Sequence, residues 1–115
     1  MKNKLFLLPI LFLFLLLSCN KDKITLKIVT PAKNAEFFIE DNIDVKVSAT
    51  TKKGKITQVV LTVDTLEMQF LTKEPFDFTI KPKTFKKEGF YFLGVMAYSS
   101  EGVREGAAID IKIKE

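Results

Sequence analysis

The side chains that most often carry catalysis are scarce in this chain of 115 residues. It has no histidine, which is the commonest general base and zinc ligand, and its single cysteine is Cys19. Two acidic pairs, Glu40 with Asp41 and Glu101 with Glu105, have the residue type that hydrolyses glycosides. Acidic residues in the loops of a charged surface are usually only solvated, however. We therefore predict no catalytic residues and a protein that is not an enzyme.

Calcium is the one metal ion that the sequence leaves open. Glu40, Asp41 and Asp44 lie close together in the chain, and hard carboxylate oxygens suit this ion. The three acids lack the alternating Asp/Asn spacing of a calcium loop, so a solvated loop is the favoured interpretation. We predict no metal site.

The segment before the cysteine is typical of a secretory signal. Met1–Lys4 is short and positive, residues 5–17 carry no charge, and a small residue then precedes the cysteine. A transmembrane anchor is the alternative. A bilayer core of about 30 Å needs about 20 apolar residues, whereas this run is shorter and contains Pro9. We predict a signal peptide over residues 1–18.

The cleavage site Leu16-Leu17-Ser18-Cys19 resembles the lipobox of bacterial lipoproteins, although Leu17 is bulkier than the residue often found there. The resemblance implies that Cys19 carries a thioether-linked diacylglycerol and, after cleavage, an acylated amine, with palmitate as a typical chain. At about 0.8 kcal/mol per buried methylene, two or three chains hold a protein on a membrane. A structural cysteine in an ordinary secreted protein is the alternative. We expect no cofactor beyond this lipid, and no disulfide.

The mature chain is long enough for one domain, which we place at residues 24–115 after a lipidated cysteine and polar tether at 19–23. Loss of Lys2 and Lys4 from the 18 basic residues leaves 16 against 14 acidic ones, a net charge of +2. The basic residues are scattered along the chain, so we predict no nucleic-acid partner.

Apolar and polar residues alternate with period two along most of this domain, which predicts half-buried strands and no helix. The alternating segments are Ile24–Ile28, Ile43–Ala49, Val59–Val63, Phe76–Ile80 and Ile109–Ile113. The most apolar strand is Gly89–Tyr98, a less regular strand lies at Leu66–Phe70, and a short apolar stretch lies at Phe37–Ile39. Several short strands separated by turns every eight to twelve residues predict an all-β sandwich.

The order of these elements resembles bacterial immunoglobulin-like domains across nearly all of residues 24–114. The pieces that match are Ile28 to Pro31, Ile43-x-Val45-x-Val47-x-Ala49, Gly54-Lys55-Ile56, Val59-x-Leu61-x-Val63-Asp64, Pro75-Phe76-x-Phe78, Gly89-x-Tyr91-x-Leu93-x-Val95-x-Ala97 and Gly102. The resemblance implies an immunoglobulin-like β-sandwich of about seven antiparallel strands. It also implies that the Tyr91 hydroxyl caps nearby backbone, and that Leu93 stands where antibody domains carry a cysteine. Thr65 and Tyr98-Ser99-Ser100 depart from the pattern, so calcium binding is not carried over.

The Gly89–Tyr98 strand is unusual because both of its faces are apolar. We assign the face with Tyr91, Leu93, Val95 and Ala97 to the core, although the outward face of a sandwich sheet is normally polar. Our hypothesis is that Val60, Phe92, Met96 and Tyr98 form an exposed apolar patch that binds a partner, another copy of the protein or a ligand. The alternatives are that loops or the 65–72 segment cover these side chains, or that the two faces are exchanged.

Together these features predict a non-catalytic lipoprotein of the cell envelope whose single domain mediates protein binding or assembly. A glycan-binding surface lipoprotein that serves polysaccharide uptake is the alternative, and a degradative enzyme or an inhibitor is the least supported class. Asn20 lacks the charge of the aspartate that would indicate inner-membrane retention, so the outer membrane is favoured in a diderm cell. Lys21-Asp22 faintly resembles a surface-export tether.

Overall fold

A computed structural model describes residues 22–115, and the predicted signal peptide, lipobox and Cys19 lie outside this range. The described chain consists of eight strands joined by turns. They are β1 (Ile24–Thr30), β2 (Glu36–Phe38), β3 (Ile43–Thr51), β4 (Ile56–Val63), β5 (Glu67–Leu71), β6 (Phe76–Ile80), β7 (Gly89–Ser99) and β8 (Arg104–Lys114). Within residues 22–115, no helix is long and apolar enough to cross a membrane.

The strands form two sheets that pack face to face. One has three strands in the order β1-β3-β6, and the other has five in the order β2-β8-β7-β4-β5. All pairs are antiparallel except β2 with β8, which run parallel. The predicted all-β sandwich is confirmed. We expected about seven antiparallel strands, whereas the described residues form eight, and β2 runs parallel to its partner β8.

The parallel strand arises because the chain crosses from one sheet to the other after β1. Pro31 ends β1, since proline cannot extend a sheet ladder. The crossing segment is then held to β8 by two hydrogen bonds. The Asn34 N–H donates to the Asp110 carbonyl at 2.7 Å, and the Lys112 N–H donates to the Ala35 carbonyl at 2.9 Å.

The core lies between the sheets and consists of the inward positions of the alternating strands. Its fully buried residues include Val45, Val59, Leu61, Val63, Ile80, Leu93, Ala97, Ile111 and Ile113. The face of β7 that we assigned to the core is therefore the buried one. Burial of each aliphatic side chain contributes about 1.5–3 kcal/mol, so apolar packing replaces the disulfide of antibody domains.

Phe85 of the β6–β7 connection and Tyr91 of β7 complete this core. Phe85 is buried, although it stands in a polar stretch that predicts only a loop. Its ring lies 4.6 Å from the ring of Tyr91 at the start of β7. The Tyr91 hydroxyl donates a hydrogen bond of 2.7 Å to the Lys87 carbonyl, which is the backbone cap that the resemblance implied.

The structure places Asp22 differently from our expectation of a polar tether over residues 19–23. The Asp22 carboxylate is buried and accepts backbone N–H bonds from four residues: Lys23 at 2.9 Å, Lys52 at 3.1 Å, Lys53 at 2.8 Å and Gly54 at 3.2 Å. Burial raises the pKa of Asp22, but the N–H bonds of Lys53, Lys23 and Gly54, together with a hydrogen bond from the Ser99 side chain, outweigh that effect and hold the pKa below its usual value. Asp22 is therefore part of the folded domain.

Candidate functional site

One carboxylate of the predicted acidic pairs and two serine hydroxyls serve local structure. The Asp41 carboxylate accepts the Phe38 N–H at 2.7 Å. The Ser99 hydroxyl is buried and accepts two N–H bonds of its own turn, and the Ser100 hydroxyl accepts the Lys55 N–H at 3.0 Å. Within the described residues, no group of three or more His, Cys, Asp or Glu side chains could hold a metal ion.

The outward side of the five-stranded sheet, which we call the outer face, carries most of the exposed large apolar side chains. Phe70 is 65% exposed, Met68 is 70% exposed, Phe90 is 68% exposed and Phe92 is 40% exposed. All four side chains point away from the core on β5 or β7. An outward sheet face is normally polar, so these residues form an unusual surface.

The four residues of our predicted patch all lie on this face, on neighbouring strands. Val60 of β4 is the registered partner of Met96 of β7, and Gln58 of β4 is the partner of Tyr98. Val60, Met96 and Tyr98 are half-buried, while Phe92 is exposed. The structure therefore brings the four residues onto one surface, with Phe92 as its most exposed member.

Strand β5 does not cover the predicted patch, which was one of our alternatives. It pairs edge to edge with β4, and this places Phe70 beside Val60 and Met68 beside Thr62 on the outer face. The strand extends the apolar surface by two side chains that we had not assigned to it. The signal in the sequence was the alternation of Met68 and Phe70 with Glu67 and Gln69.

The centre of the outer face is a shallow depression of about 430 Å³ between Phe92 and Met96. Its floor consists of small residues in adjacent strands, because Gly94 pairs with Ala108 and Met96 pairs with Gly106. A Cβ atom added to Gly94 would have only ordinary contacts, the nearest being the Phe92 ring at 4.0 Å. The fold itself therefore has no steric need for glycine at this position.

Charged residues border the outer face. Arg104 pairs with Tyr98 near one end of β8, and Asp110 pairs with Phe92 towards the other end. The Lys112 ammonium lies 5.7 Å from the centre of the Phe90 ring. Apolar side chains surrounded by charge are the usual composition of a protein-binding surface.

An ion-pair cluster links β2 to β8 at the edge of this sheet. The Glu36 carboxylate lies 2.8 Å from the Lys114 ammonium and 3.9 Å from that of Lys112. The hydrogen bond from Lys114 lowers the pKa of Glu36, and the charges of both lysines act in the same direction.

A second depression, of about 460 Å³, lies on the three-stranded sheet. It is bordered by polar side chains, among them Ser48, Thr50, Glu74 and Asp77, and its one aromatic residue, Phe76, is buried. Sugar binding by stacking needs an accessible ring, which this depression does not offer. The outer face is therefore the candidate site.

Comparisons with known proteins agree on the fold. A family model described as "Bacterial Ig domain" matches residues 25–95. No curated protein matches the chain. The fibronectin(III)-like modules of Clostridium thermocellum CbhA are similar in structure, with a TM-score of 0.68 and 23% identity over 80% of this chain and 47% of that chain. An engineered protein has a TM-score of 0.62 and 14% identity over 81% of this chain and 20% of that chain. This chain therefore spans about half or less of each.

Proposed function

The chain belongs to the family of bacterial Ig domains, and we propose that it is a non-catalytic, membrane-anchored envelope lipoprotein that binds a protein partner through its outer face. The predicted immunoglobulin-like fold is confirmed by the family match and by the similar structures. A module of this fold fits binding or assembly. The observation that carries the proposal is the group of exposed Phe and Met side chains on β5 and β7.

The position of these side chains favours a protein over a glycan. Glycan binding would favour flat aromatic rings on a loop edge, and tryptophan is absent from the sequence. Here Phe70 and Phe92 stand on a sheet surface together with Met68. Burial of such side chains against a partner contributes about 25 cal/mol per Å² of apolar surface, which is the main favourable term in protein association.

The typical use of this fold supports a binding role. Immunoglobulin-like and fibronectin III-like folds are typically non-catalytic modules. The Asp41 carboxylate and the Ser99 hydroxyl accept N–H bonds within their own turns, which gives both a structural role.

The proposed lipid on Cys19 would hold the domain close to the membrane. The hydrogen bonds of Asp22 fix the chain to the β3–β4 turn, so three residue steps separate the lipidated residue from the fold. At about 3.3–3.6 Å per step, the reach is about 10 Å. The domain would therefore be presented at the membrane surface. The outer membrane is the favoured location in a diderm cell.

The proposal is tested by crosslinking the tagged full chain in intact cells of its own host. Wild type is compared with a Phe92→Lys/Met96→Lys variant, and the captured molecules are identified by mass spectrometry. We expect wild type to capture one protein and the variant to lose it, because two lysines would need desolvation at the interface.

A matched control carries two lysines on the other sheet, Thr25→Lys and Ser48→Lys, at exposed positions of β1 and β3. It should capture the partner as wild type does. All chains are checked for folding by their thermal unfolding. Equal capture by the Phe92/Met96 variant, or capture of glycan alone, would contradict the proposal. Labelling with radioactive palmitate, lost in Cys19→Ala, tests the anchor separately.

A further inference from the structure

We propose that the partner bound by the outer face is a second copy of this chain. The two copies are related by a two-fold axis that lies between their outer faces and runs perpendicular to the strands. The inference rests on the proposed function and names its partner. It follows from the strand register, because the outer face is complementary to itself in side-chain size at Met96 and Gly94 and in charge at Arg104 and Asp110.

Two neighbouring rows of the outer face differ in side-chain size on β7, where one row has Met96 and the other has Gly94. Each row contains residues that are registered partners across β5, β4, β7 and β8. The Met96 row is Phe70, Val60, Met96 and Gly106, and the Gly94 row is Met68, Thr62, Gly94 and Ala108. The two rows lie on either side of the level at which Val95 pairs with Ala107.

A two-fold axis at this level places the Met96 row of one copy over the Gly94 row of the other. This axis places each strand over the same strand of the second copy, and the two strands run in opposite directions. Met96 then faces the depression at Gly94 of the second copy, and Phe70 faces Met68. Each depression receives a methionine, which is a flexible side chain that fills irregular apolar gaps well.

The same axis pairs opposite charges. Arg104 and Asp110 are equally far from Ala107 along β8, so Arg104 of each copy faces Asp110 of the other. The two side chains are six residues apart on one strand, about 20 Å, and do not pair within one copy. An axis parallel to the strands and placed over β7 would instead bring β4 of one copy over β8 of the other. Asp64, which follows β4, would then face Asp110 of the second copy, and two like charges would meet.

The size of the face also suits such a pair. The strands β5, β4, β7 and β8 lie about 4.8 Å apart, and their outward residues from the level of Tyr98 to that of Phe90 span about 19 by 26 Å. Each copy would bury about 500 Å², which totals about 1,000 Å², the least that a specific interface buries. Anchoring in one membrane raises the effective concentration of the copies, and this favours an interface of modest area.

The test is site-specific photocrosslinking of the full chain in intact cells. A photoreactive benzoylphenylalanine replaces Tyr98, which faces Phe92 of the second copy in this arrangement. We expect an adduct of twice the chain mass, mapped by mass spectrometry to the peptide around Phe92. Arg104→Asp and Asp110→Arg should each lower its yield at least five-fold. The double variant should restore the yield to within two-fold, because the opposite charges meet again.

Lys46→Asp is the matched control, since it makes the same change of charge on the exposed side of the three-stranded sheet. It should leave the yield unchanged. An adduct with a different protein would overturn the second copy as partner and leave the proposed function standing. The absence of any protein adduct at Tyr98 would overturn both. A self-adduct mapped elsewhere, or one unaffected by charge reversal, would overturn the two-fold arrangement.

Discussion

Substitution of Gly94 by valine should stabilise the domain and weaken its association. Glycine inside a strand costs about 0.5–1 kcal/mol relative to alanine, and β-branched residues favour strands further. The added Cβ meets only the Phe92 ring, at 4.0 Å, and the depression of about 430 Å³ above Gly94 has room for the two methyl groups. We expect the free energy of unfolding to rise by about 1 kcal/mol, and the melting temperature by about 4–8 °C. The same side chain fills the depression that receives Met96, so the photocrosslinked adduct should fall at least five-fold.

Circular dichroism melting and adduct yield measure these two effects on the same variant. Ser48→Val is the matched control, because it introduces the same side chain at an exposed position of the other sheet, in β3. It should leave the adduct yield unchanged. If Gly94→Val lowered the melting temperature, glycine would be needed by the fold and not by a partner. If the melting temperature rose and the yield held, the depression would be no part of the interface.

Three further predictions concern the fold. Tyr91→Phe removes the hydrogen bond to the Lys87 carbonyl, so we expect a loss of about 1 kcal/mol in thermal unfolding and unchanged adduct yield. Phe85→Ala should cost about 3–5 kcal/mol in urea unfolding, because its ring is buried against Tyr91. The folded-state pKa values of Asp22 and Glu36 are lowered, so their stabilisation is full above the unfolded pKa and falls as pH drops through the folded value. Urea unfolding at pH 7 and pH 3 should therefore differ less in Asp22→Asn than in wild type.

The strands and the core could be predicted because period-two alternation directly encodes which side chains point inward. This holds for β3 and β6, where polar residues alternate with the buried ones. Both faces of β7 are apolar, and there the resemblance, which puts Leu93 where antibody domains carry a cysteine, favoured the face that is buried. Phe85 could not be predicted in the same way. It lies in a polar connection with no period, and its burial depends on how that connection folds over the end of the sandwich. Asp22 was missed because its partners lie about 30 residues further along the chain.

The candidate site was only partly predictable for a related reason. Alternation identified Phe92 and Met96 on one face of β7, but the strand neighbours of that face depend on sheet order. The pairing of Gly94 with Ala108, and of Met96 with Gly106, is a property of the register between β7 and β8. A glycine in the middle of an otherwise apolar strand was the one local signal, since it often marks a close approach of another chain.

The proposed pair and the proposed lipid together fix an orientation on the membrane. A two-fold axis perpendicular to the strands puts the two tethers at opposite ends of the pair, and a strand of eleven residues spans about 36 Å. Asp22 is held in the fold, and the lipid on Cys19 lies within about 10 Å of it, which is much less than the length of the strand. Both lipids therefore reach one leaflet only if the strands run along its surface. Fluorophores on Lys55→Cys, at the tether end, and Lys86→Cys, at the opposite end, should therefore transfer energy equally to a dye in the membrane. Weaker transfer from the Lys86 position would mean an upright domain, which is incompatible with this pairing of two copies anchored in one leaflet.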